Sequence, residues 1–305
     1  MKEIFNSYSK YIKSIFSERV QKISIDAGFT CPNRNGNKAY GGCTYCDNRT
    51  FNPFYCNPQK TIIQQINEGI TFFEPKYKTQ KYLAYFQAYT NTYDDINNLK
   101  KKYTEALSHP KIIGMVVSTR PDCINQEIIE LLNSFTNKYH IVLEIGIEST
   151  KNTTLERINR AHSFEDTMQA FKLTENTNLH IGAHLIIGLP KETKQDILNH
   201  AKEISQLNIH TLKLHQLQII KNTAMANDYI RNPQDYNLFD VDAYIDLMIE
   251  FLENISPQII IERFASESPP QMIIAPKWNG VKNYAITDKI RNEMKKRNTW
   301  QGKLF

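Results

Sequence analysis

The chain is poor in cysteine and has no long apolar run and no linker, and each shortage excludes something. Of its 305 residues only 5 are cysteine. A sparse, odd set cannot build the disulfide framework of a small secreted domain. No apolar stretch approaches the ~18–20 residues of a membrane span. The opening MKEIFNSYSKYIKSIF lacks the continuous apolar segment and small-residue cleavage site of a secretory signal. A cytoplasmic protein with no membrane partner is therefore expected, in which clustered thiols stay reduced and bind metal. No repeat, low-complexity tract or Pro/Gly/Ser linker divides the chain, so one large domain with terminal extensions is expected. Its bounds are an N-terminal helical extension (1–20), an α/β core (21–255) and a basic C-terminal extension (256–305).

Charge is unevenly placed. From Lys277 onward eight basic residues (Lys277, Lys282, Lys289, Arg291, Lys295, Lys296, Arg297 and Lys303) face only Asp288 and Glu293, so the tail carries +6 of a chain whose net charge is +5. A basic terminal element can contact phosphates; a solvated helix face is the plainer alternative.

After an N-terminal helix, extended and helical patterns alternate. Strands are predicted at 22–26, 81–88, 111–119, 141–148, 180–187 and 211–219. Helices are predicted at 60–73, 95–107, 124–137, 164–177, 192–207 and 240–254. Such alternation implies a parallel sheet with right-handed crossovers, as a TIM-like barrel or a doubly wound sheet. Ser149 or Thr150 is expected to cap the helix after the fourth strand, and Pro190 with Glu192 to open the one after the fifth.

Parallel strands buried on both faces read as nearly continuous apolar runs. These alternate instead. Ile141, Leu143, Ile145 and Ile147 share one parity, and Glu144 and Glu148 the other. Ile181, Ala183, Leu185 and Ile187 oppose His180, Gly182, His184 and Gly188. Gln87 and Asn91 share a face on the second strand, and Lys213 and His215 on the sixth. So many polar groups would cost about 2–7 kcal/mol each if buried unpaired. A barrel with an open, solvated or ligand-filled lumen and a site at its C-terminal mouth follows. An open sheet with one partly exposed face is the alternative.

Directly after the first strand comes CPNRNGNKAYGGCTYC, in which Cys31, Cys43 and Cys46 are spaced C-x11-C-x2-C. Sulfur ligation selects zinc, copper(I) or iron–sulfur. A zinc ribbon needs a second C-x2-C roughly 15–20 residues on, and none follows. A 4Fe–4S cluster usually takes four cysteines; three leave a position open for chemistry. Spacing alone leaves iron–sulfur, zinc and incidental cysteines all standing.

The loop ending Cys43-Thr44-Tyr45-Cys46 resembles the radical S-adenosylmethionine (radical SAM) superfamily. Its spacing resembles the bacterial family typified by YhcC, near the catalytic subunit of Elongator. YFQAYTNTYD (85–94), STRPDC (118–123), EIGIEST (144–150), NRAHSFED (159–166), HLIIGLP (184–190), KLHQLQIIKNT (213–223) and ERFASESPPQMIIAPKWN (262–279) agree with it. The resemblance implies a partial (β/α)6 TIM-like barrel. It implies a 4Fe–4S cluster on Cys31, Cys43 and Cys46, with S-adenosylmethionine on the fourth iron and reductively cleaved to a 5′-deoxyadenosyl radical. Tyr45 would lie near the adenine. Gln87, Ala88 and Tyr89 occupy the place of a Gly-Gly-Glu motif; no carboxylate stands there, so backbone carbonyls or Gln87 must hold the amino group. Glu148 would bind the ribose hydroxyls, and Arg160 the methionine carboxylate. Ile187, Gly188, Pro190 and Leu217 would bracket the adenine.

Arg120, Lys213 and His215 point inward and are expected to face substrate or bound cofactor as catalytic residues. Plainer roles stand beside these: a structural ion-pair network for Arg120, Lys213 and His215, packing for Tyr45, helix capping or ion pairing for Glu148, an exposed helix position for Arg160, a tight turn at Gly188 and Pro190, and helix capping for Asp122. Cys56 and Cys123 are expected to be plain thiols. An electron donor such as flavodoxin or ferredoxin is implied, and RNA, specifically tRNA, is the expected substrate, with Trp278, Tyr284 and Trp300 available to stack bases. The same chemistry on a small metabolite or protein side chain, or a non-catalytic metal-stabilised module, are the alternatives. From the length and motifs of the sequence, an acetyltransferase domain like Elongator's, a cobalamin-binding domain and a second cluster are not expected.

Overall fold

The computed structural model describes residues 3–76 and 80–305. Among them the elements run α1 (Tyr8–Phe16), β1 (Val20–Ile25), α2 (Ile62–Phe73), β2 (Lys81–Phe86), α3 (Ile96–Leu107), β3 (Ile112–Thr119), α4 (Gln126–Ser134), β4 (His140–Glu148), α5 (Asn152–Arg157), α6 (Phe164–Leu173) and β5 (His180–Ile187). There follow α7 (Lys194–Ile204), β6 (Thr211–Gln216), β7 (Ile219–Ile220), α8 (Ala224–Arg231), α9 (Val241–Asn254), β8 (Ile260–Arg263), β9 (Ile273–Ala275) and α10 (Asn283–Lys296). Strands β1 to β6 and then β8 pair in that order, all parallel, in one seven-stranded sheet. The sheet curls until its first and last strands meet through side chains: Lys22 on β1 reaches Glu262 on β8 at 2.7 Å. This is the partial barrel that the resemblance implied, with one strand more.

The extra strand, β8, falls inside the expected C-terminal extension. Four residues, IIER, are too few to show a period. Its outer edge is covered by the segment before α1, where the Ile261 amide donates to the Asn6 carbonyl at 2.8 Å, so the edge is not left open. The predicted strand 211–219 is in fact two pieces. β6 stops at Gln216, and β7 pairs antiparallel with β9.

The apolar parity holds. Ile141, Leu143, Ile145, Ile147, Ile181, Ala183, Leu185 and Ile187 all pack under the helices. On α2 the buried Ile62, Ile66 and Ile70 recur at helical spacing on that same face. Inside the curl, Leu83, Tyr85, Val116 and Val142 form a separate apolar cluster that fills part of the lumen.

Helix starts follow capping chemistry. Thr61 with Gln64, Ser163 with Asp166 and Thr193 with Asp196 each form a capping box, which satisfies backbone donors that a helix start leaves orphaned. Three expected caps are not made. α5 follows Lys151 without a side-chain cap. Ser149 instead donates to Glu192 at 2.6 Å, and Thr150 meets His200 at 2.6 Å. Pro190 and Glu192 lie in the turn before α7, which Thr193 caps. Asp122 pairs with Arg120 at 2.9 Å while Asn125 caps α4. In each case a buried partner won over a helix end.

The basic tail is less bare than its composition suggests. Lys282, Lys289, Arg291, Lys296 and Arg297 all pair with carboxylates, on Glu267, Asp242, Asp288, Glu293 and Asp246. Trp278 is not available to stack bases. It is buried, its ring lies 5.1 Å from that of Tyr244, and its Nε1 donates to the Phe239 carbonyl at 3.0 Å. Tyr284 is 71% exposed.

Candidate functional site

The loop after β1 is pinned at several points. Gly41 and Gly42 take φ of 80° and 78°, a region that favours glycine. The Gly42 amide donates to the Asn33 carbonyl at 2.8 Å, and the Asn159 side chain donates to the carbonyls of Tyr40 and Gly42 at 3.0 and 2.8 Å. The Thr44 amide donates to the Ile158 carbonyl, and the Thr44 carbonyl accepts from the Met225 amide, both at 2.9 Å. The loop is thereby clamped between the end of α5 and the start of α8. It turns Cys31, Cys43 and Cys46 toward one open cavity of about 270 Å³. All three are free thiols.

Opposite them stands an ion pair built into β4 and the turn after α5. Arg160 Nη2 lies 3.3 Å from Glu148 Oε1 and donates to the Gly146 carbonyl at 2.8 Å, and Nη1 donates to Cys43 Sγ at 3.6 Å. Its Nε is buried without a partner. Burial works against the charge, but Tyr45, Cys43 and Glu148 around it hold the guanidinium's pKa well above its ordinary value. The pairing slips register between Gly146 and Glu148, and Glu148 sits at φ 66°, which aims its carboxylate into the cavity. Gly146 makes room: a Cβ there would stand 2.6 Å from Arg160 Nη2 and 2.7 Å from Glu148 Oε1.

The floor is a buried network of charges. Glu144 accepts from Lys22 at 2.8 Å, Lys213 at 2.6 Å, Ser118 at 3.0 Å and His184 at 3.0 Å. Glu262 lies 2.7 Å from Lys22 and 3.4 Å from Lys213. Burial opposes ionisation of Glu144, yet Lys213 and Lys22 hold its carboxyl well below the usual range. Burial pulls Lys213 down to about 8 against the pull of Glu144 and Glu262. Burial, then Arg263, lowers His215 well below the ordinary imidazole value, so it is neutral near pH 7. Lys22, Lys213, Glu144 and Glu262 satisfy one another rather than relying on solvent in the lumen.

The structure sorts the predicted residues. Cys31, Cys43, Cys46, Tyr45, Gln87, Tyr89, Arg120, Glu148, Arg160, Lys213, His215 and Leu217 all line the cavity. Ala88, Ile187, Gly188 and Pro190 do not reach its wall. Ile187 points to the outer core, and its carbonyl accepts from the Leu217 amide at 2.9 Å; Ile186 lines the cavity in its place. Gly188 takes φ 88° against Phe239. Arg120 is fixed by Asp122 and by the Arg160 carbonyl, which accepts from it at 2.6 Å. Asn91 is buried away from the cavity, donating to the Ser118 carbonyl at 2.8 Å. Sequence reasoning missed Lys22, Arg34, Gly146, Glu262 and Arg263. Only Lys22 left a signal, since it opposes Ile23 and Ile25 in parity.

Cys56 and Cys123 stand apart from this wall. Cys56 donates to the Ser24 carbonyl at 3.0 Å. Burial pushes both thiols up to about 12, with Asp26 and Asp122 adding to it respectively. A thiolate is the nucleophile, so at neutral pH both are expected to alkylate far more slowly than free cysteine. Timed iodoacetamide labelling read by peptide mass spectrometry checks this.

Residues 31–204 match the radical SAM superfamily, and residues 209–296 match the Radical_SAM C-terminal domain. An uncharacterized protein of Methanocaldococcus jannaschii, MJ0486, is 32% identical over 99% of this chain and 92% of its own. Protein YhcC of Escherichia coli K12 is 29% identical over 91% of this chain and 88% of its own. The tRNA uridine(34) acetyltransferase of M. jannaschii is 24% identical over 64% of this chain but only 35% of its own length. Among solved structures, the archaeal Methanocaldococcus infernus Elp3 with an N-terminal deletion superposes with a TM-score of 0.68 at 17% identity, covering 93% of this chain and 64% of that one. That likeness is one of fold. The chain belongs to the radical SAM superfamily, within its YhcC-like family.

Proposed function

We propose that the cavity holds a 4Fe–4S cluster on Cys31, Cys43 and Cys46, with S-adenosylmethionine completing it. The observation that carries this is the meeting of three free thiols and the Arg160–Glu148 pair on one cavity. The residues fit the group. Burial and the neighbouring Cys43 push Cys46 up to about 11, a crowding that a cationic iron centre relieves because a coordinating thiol is deprotonated outright. Among the described residues no three His, Cys, Asp or Glu side chains form a single-ion site, and a cluster asks instead for one thiolate on each of three irons. Once bound, the two groups together supply reductive cleavage of the sulfonium to a 5′-deoxyadenosyl radical.

The chain's own part is to bind, orient and exclude water. Arg160 offers its unpartnered Nε to a carboxylate, as a charge-assisted bond. Glu148 is aimed to accept from vicinal hydroxyls. Tyr45, packed with the apolar cluster of Leu217, Ile186 and Met225, gives an apolar wall for a base. Loss of a hydrogen bond to a charged group is worth about 1.5–3 kcal/mol, so Glu148→Gln is expected to weaken S-adenosylmethionine binding about 10–100-fold. Equilibrium dialysis with the reconstituted protein measures it, and unchanged affinity would remove Glu148 from the site.

For the substrate we propose RNA, most directly tRNA. Support comes from the relative named a tRNA uridine(34) acetyltransferase and from the basic tail, where Lys277, Lys295 and Lys303 remain outside the ion pairs above. Binding to total tRNA across a salt series is the test. Phosphate contacts release counterions, so log affinity should fall with log salt at about −0.7 to −0.9 per contact. A flat response or no binding would turn the reading to a small-molecule substrate.

A further inference from the structure

We infer that the β6–β8 side of the cavity is a subsite for an anionic group of the substrate, anchored by Arg263. Five cations line the cavity, and four have partners of their own. Arg34 donates to the Cys46 carbonyl at 3.1 Å and stacks on Tyr89. Arg120 pairs with Asp122 at 2.9 Å, Arg160 with Glu148 at 3.3 Å, and Lys213 with Glu144 at 2.6 Å. Arg263, half-buried on β8, lines the same cavity. Among the described residues it has neither a hydrogen-bond partner nor an ion-pair partner.

The carboxylates within its reach are already engaged. Glu262, its chain neighbour, is held between Lys22 and Lys213. Glu267 pairs with Lys282 and accepts from the Asn283 amide, both at 2.9 Å. The floor carries two lysines and two glutamates and is neutral in sum, so Arg263 leaves this side of the cavity with one uncompensated positive charge. A partly desolvated cation without a counter-charge is unfavourable, and a guanidinium's fork matches a carboxylate or a phosphate.

A second polar group without a partner lines the same cavity. His215 Nε2 is buried without a partner, and the His215 ring lies 5.4 Å from that of His184. The strand-end loop after Arg263 is fixed in place: the Ser266 amide donates to Gln216 Oε1 at 2.8 Å, and Ser268 Oγ donates to Gln218 Oε1 at 2.6 Å. This is a built wall, with a charged anchor, a neutral imidazole whose Nε2 has no partner, and serine hydroxyls held by Gln216 and Gln218 at its rim. The assignment rests on the reading above only in giving the cysteine side of the cavity to the cluster and S-adenosylmethionine.

The test is equilibrium dialysis of the reconstituted, S-adenosylmethionine-loaded protein against labelled acetate and labelled inorganic phosphate, with acetamide as the neutral control. Wild type is expected to retain at least one of the two anions and not acetamide. Arg263→Gln should bind it about tenfold or more weakly, and Arg263→Lys in between. Acetate alone identifies a carboxylate, phosphate alone a phosphate. Equal binding by wild type and Arg263→Gln, or no anion bound by wild type, overturns the inference. So does binding only in the absence of S-adenosylmethionine, which would assign Arg263 to that molecule's own carboxylate. Thermal melting of each variant separates lost binding from lost fold, and Arg263→Lys, which keeps the charge, provides the comparison if Arg263→Gln fails to fold. A wild-type protein that takes up no iron–sulfur cluster would instead defeat the reading of the cysteine side, and is scored separately by its iron and sulfide content.

Discussion

Replacing any one of Cys31, Cys43 and Cys46 by alanine is expected to abolish the brown cluster and lower 5′-deoxyadenosine formation by at least about 10³-fold, some 4 kcal/mol of transition-state stabilisation. The three are not interchangeable with Cys56 or Cys123, which lie outside the wall that they form. The loop that carries them has little apolar content of its own and is positioned by backbone hydrogen bonds to Ile158 and Met225. Losing a thiol should therefore leave the barrel folded. Iron and sulfide analysis, with far-UV circular dichroism as the control for folding, measures the effect. Full cluster content in any one variant would exclude that cysteine as a ligand.

The second large effect concerns stability. Glu144 is 1% exposed and accepts from the buried Lys213 and the largely covered Lys22. Glutamine keeps its shape and removes its charge, leaving Lys22 and Lys213 to share Glu262 alone. Breaking a buried ion pair by removing one partner costs about 3–5 kcal/mol, so Glu144→Gln should lose that much in urea unfolding at pH 7. The sign of the pH dependence follows from the depressed folded-state pKa. The stability contributed by ionised Glu144 is present above its ordinary 4.5 and is lost as pH falls through the lower folded value. The gap between wild type and variant should narrow in that acid window, and again as pH rises through about 8, where Lys213 gives up its proton. A difference under about 1 kcal/mol at neutral pH, the range of an exposed pair, would show that the network is not held as described.

Much of this was legible in the sequence because two signals are local. Strand parity needs only neighbouring residues, and it placed Glu144, Glu148, Lys213 and His215 on the inner face. The cysteine spacing needs only one loop. What the sequence hid depends on contacts between distant segments. Arg263 lies on a four-residue strand whose pairing with β6 shifts register between Leu212 and Lys213, so no parity count from the rest of the sheet reaches it. The role of Gly146 is the room it leaves for a pair contributed from Arg160 and Glu148. Trp278 reads as a surface aromatic in a basic tail, yet it packs against Tyr244 on α9. The resemblance put Gly188 and Pro190 beside the adenine, but they are not among the residues that line the cavity.

The central claim is that the three cysteines and the Arg160–Glu148 pair form one site for a cluster and S-adenosylmethionine. The most direct measurement is anaerobic reconstitution with iron and sulfide, followed by reductant and S-adenosylmethionine, with the products resolved by mass spectrometry. A brown protein that releases 5′-deoxyadenosine and methionine in equal amounts is the predicted result. A colourless, zinc-loaded protein that leaves S-adenosylmethionine intact would contradict it.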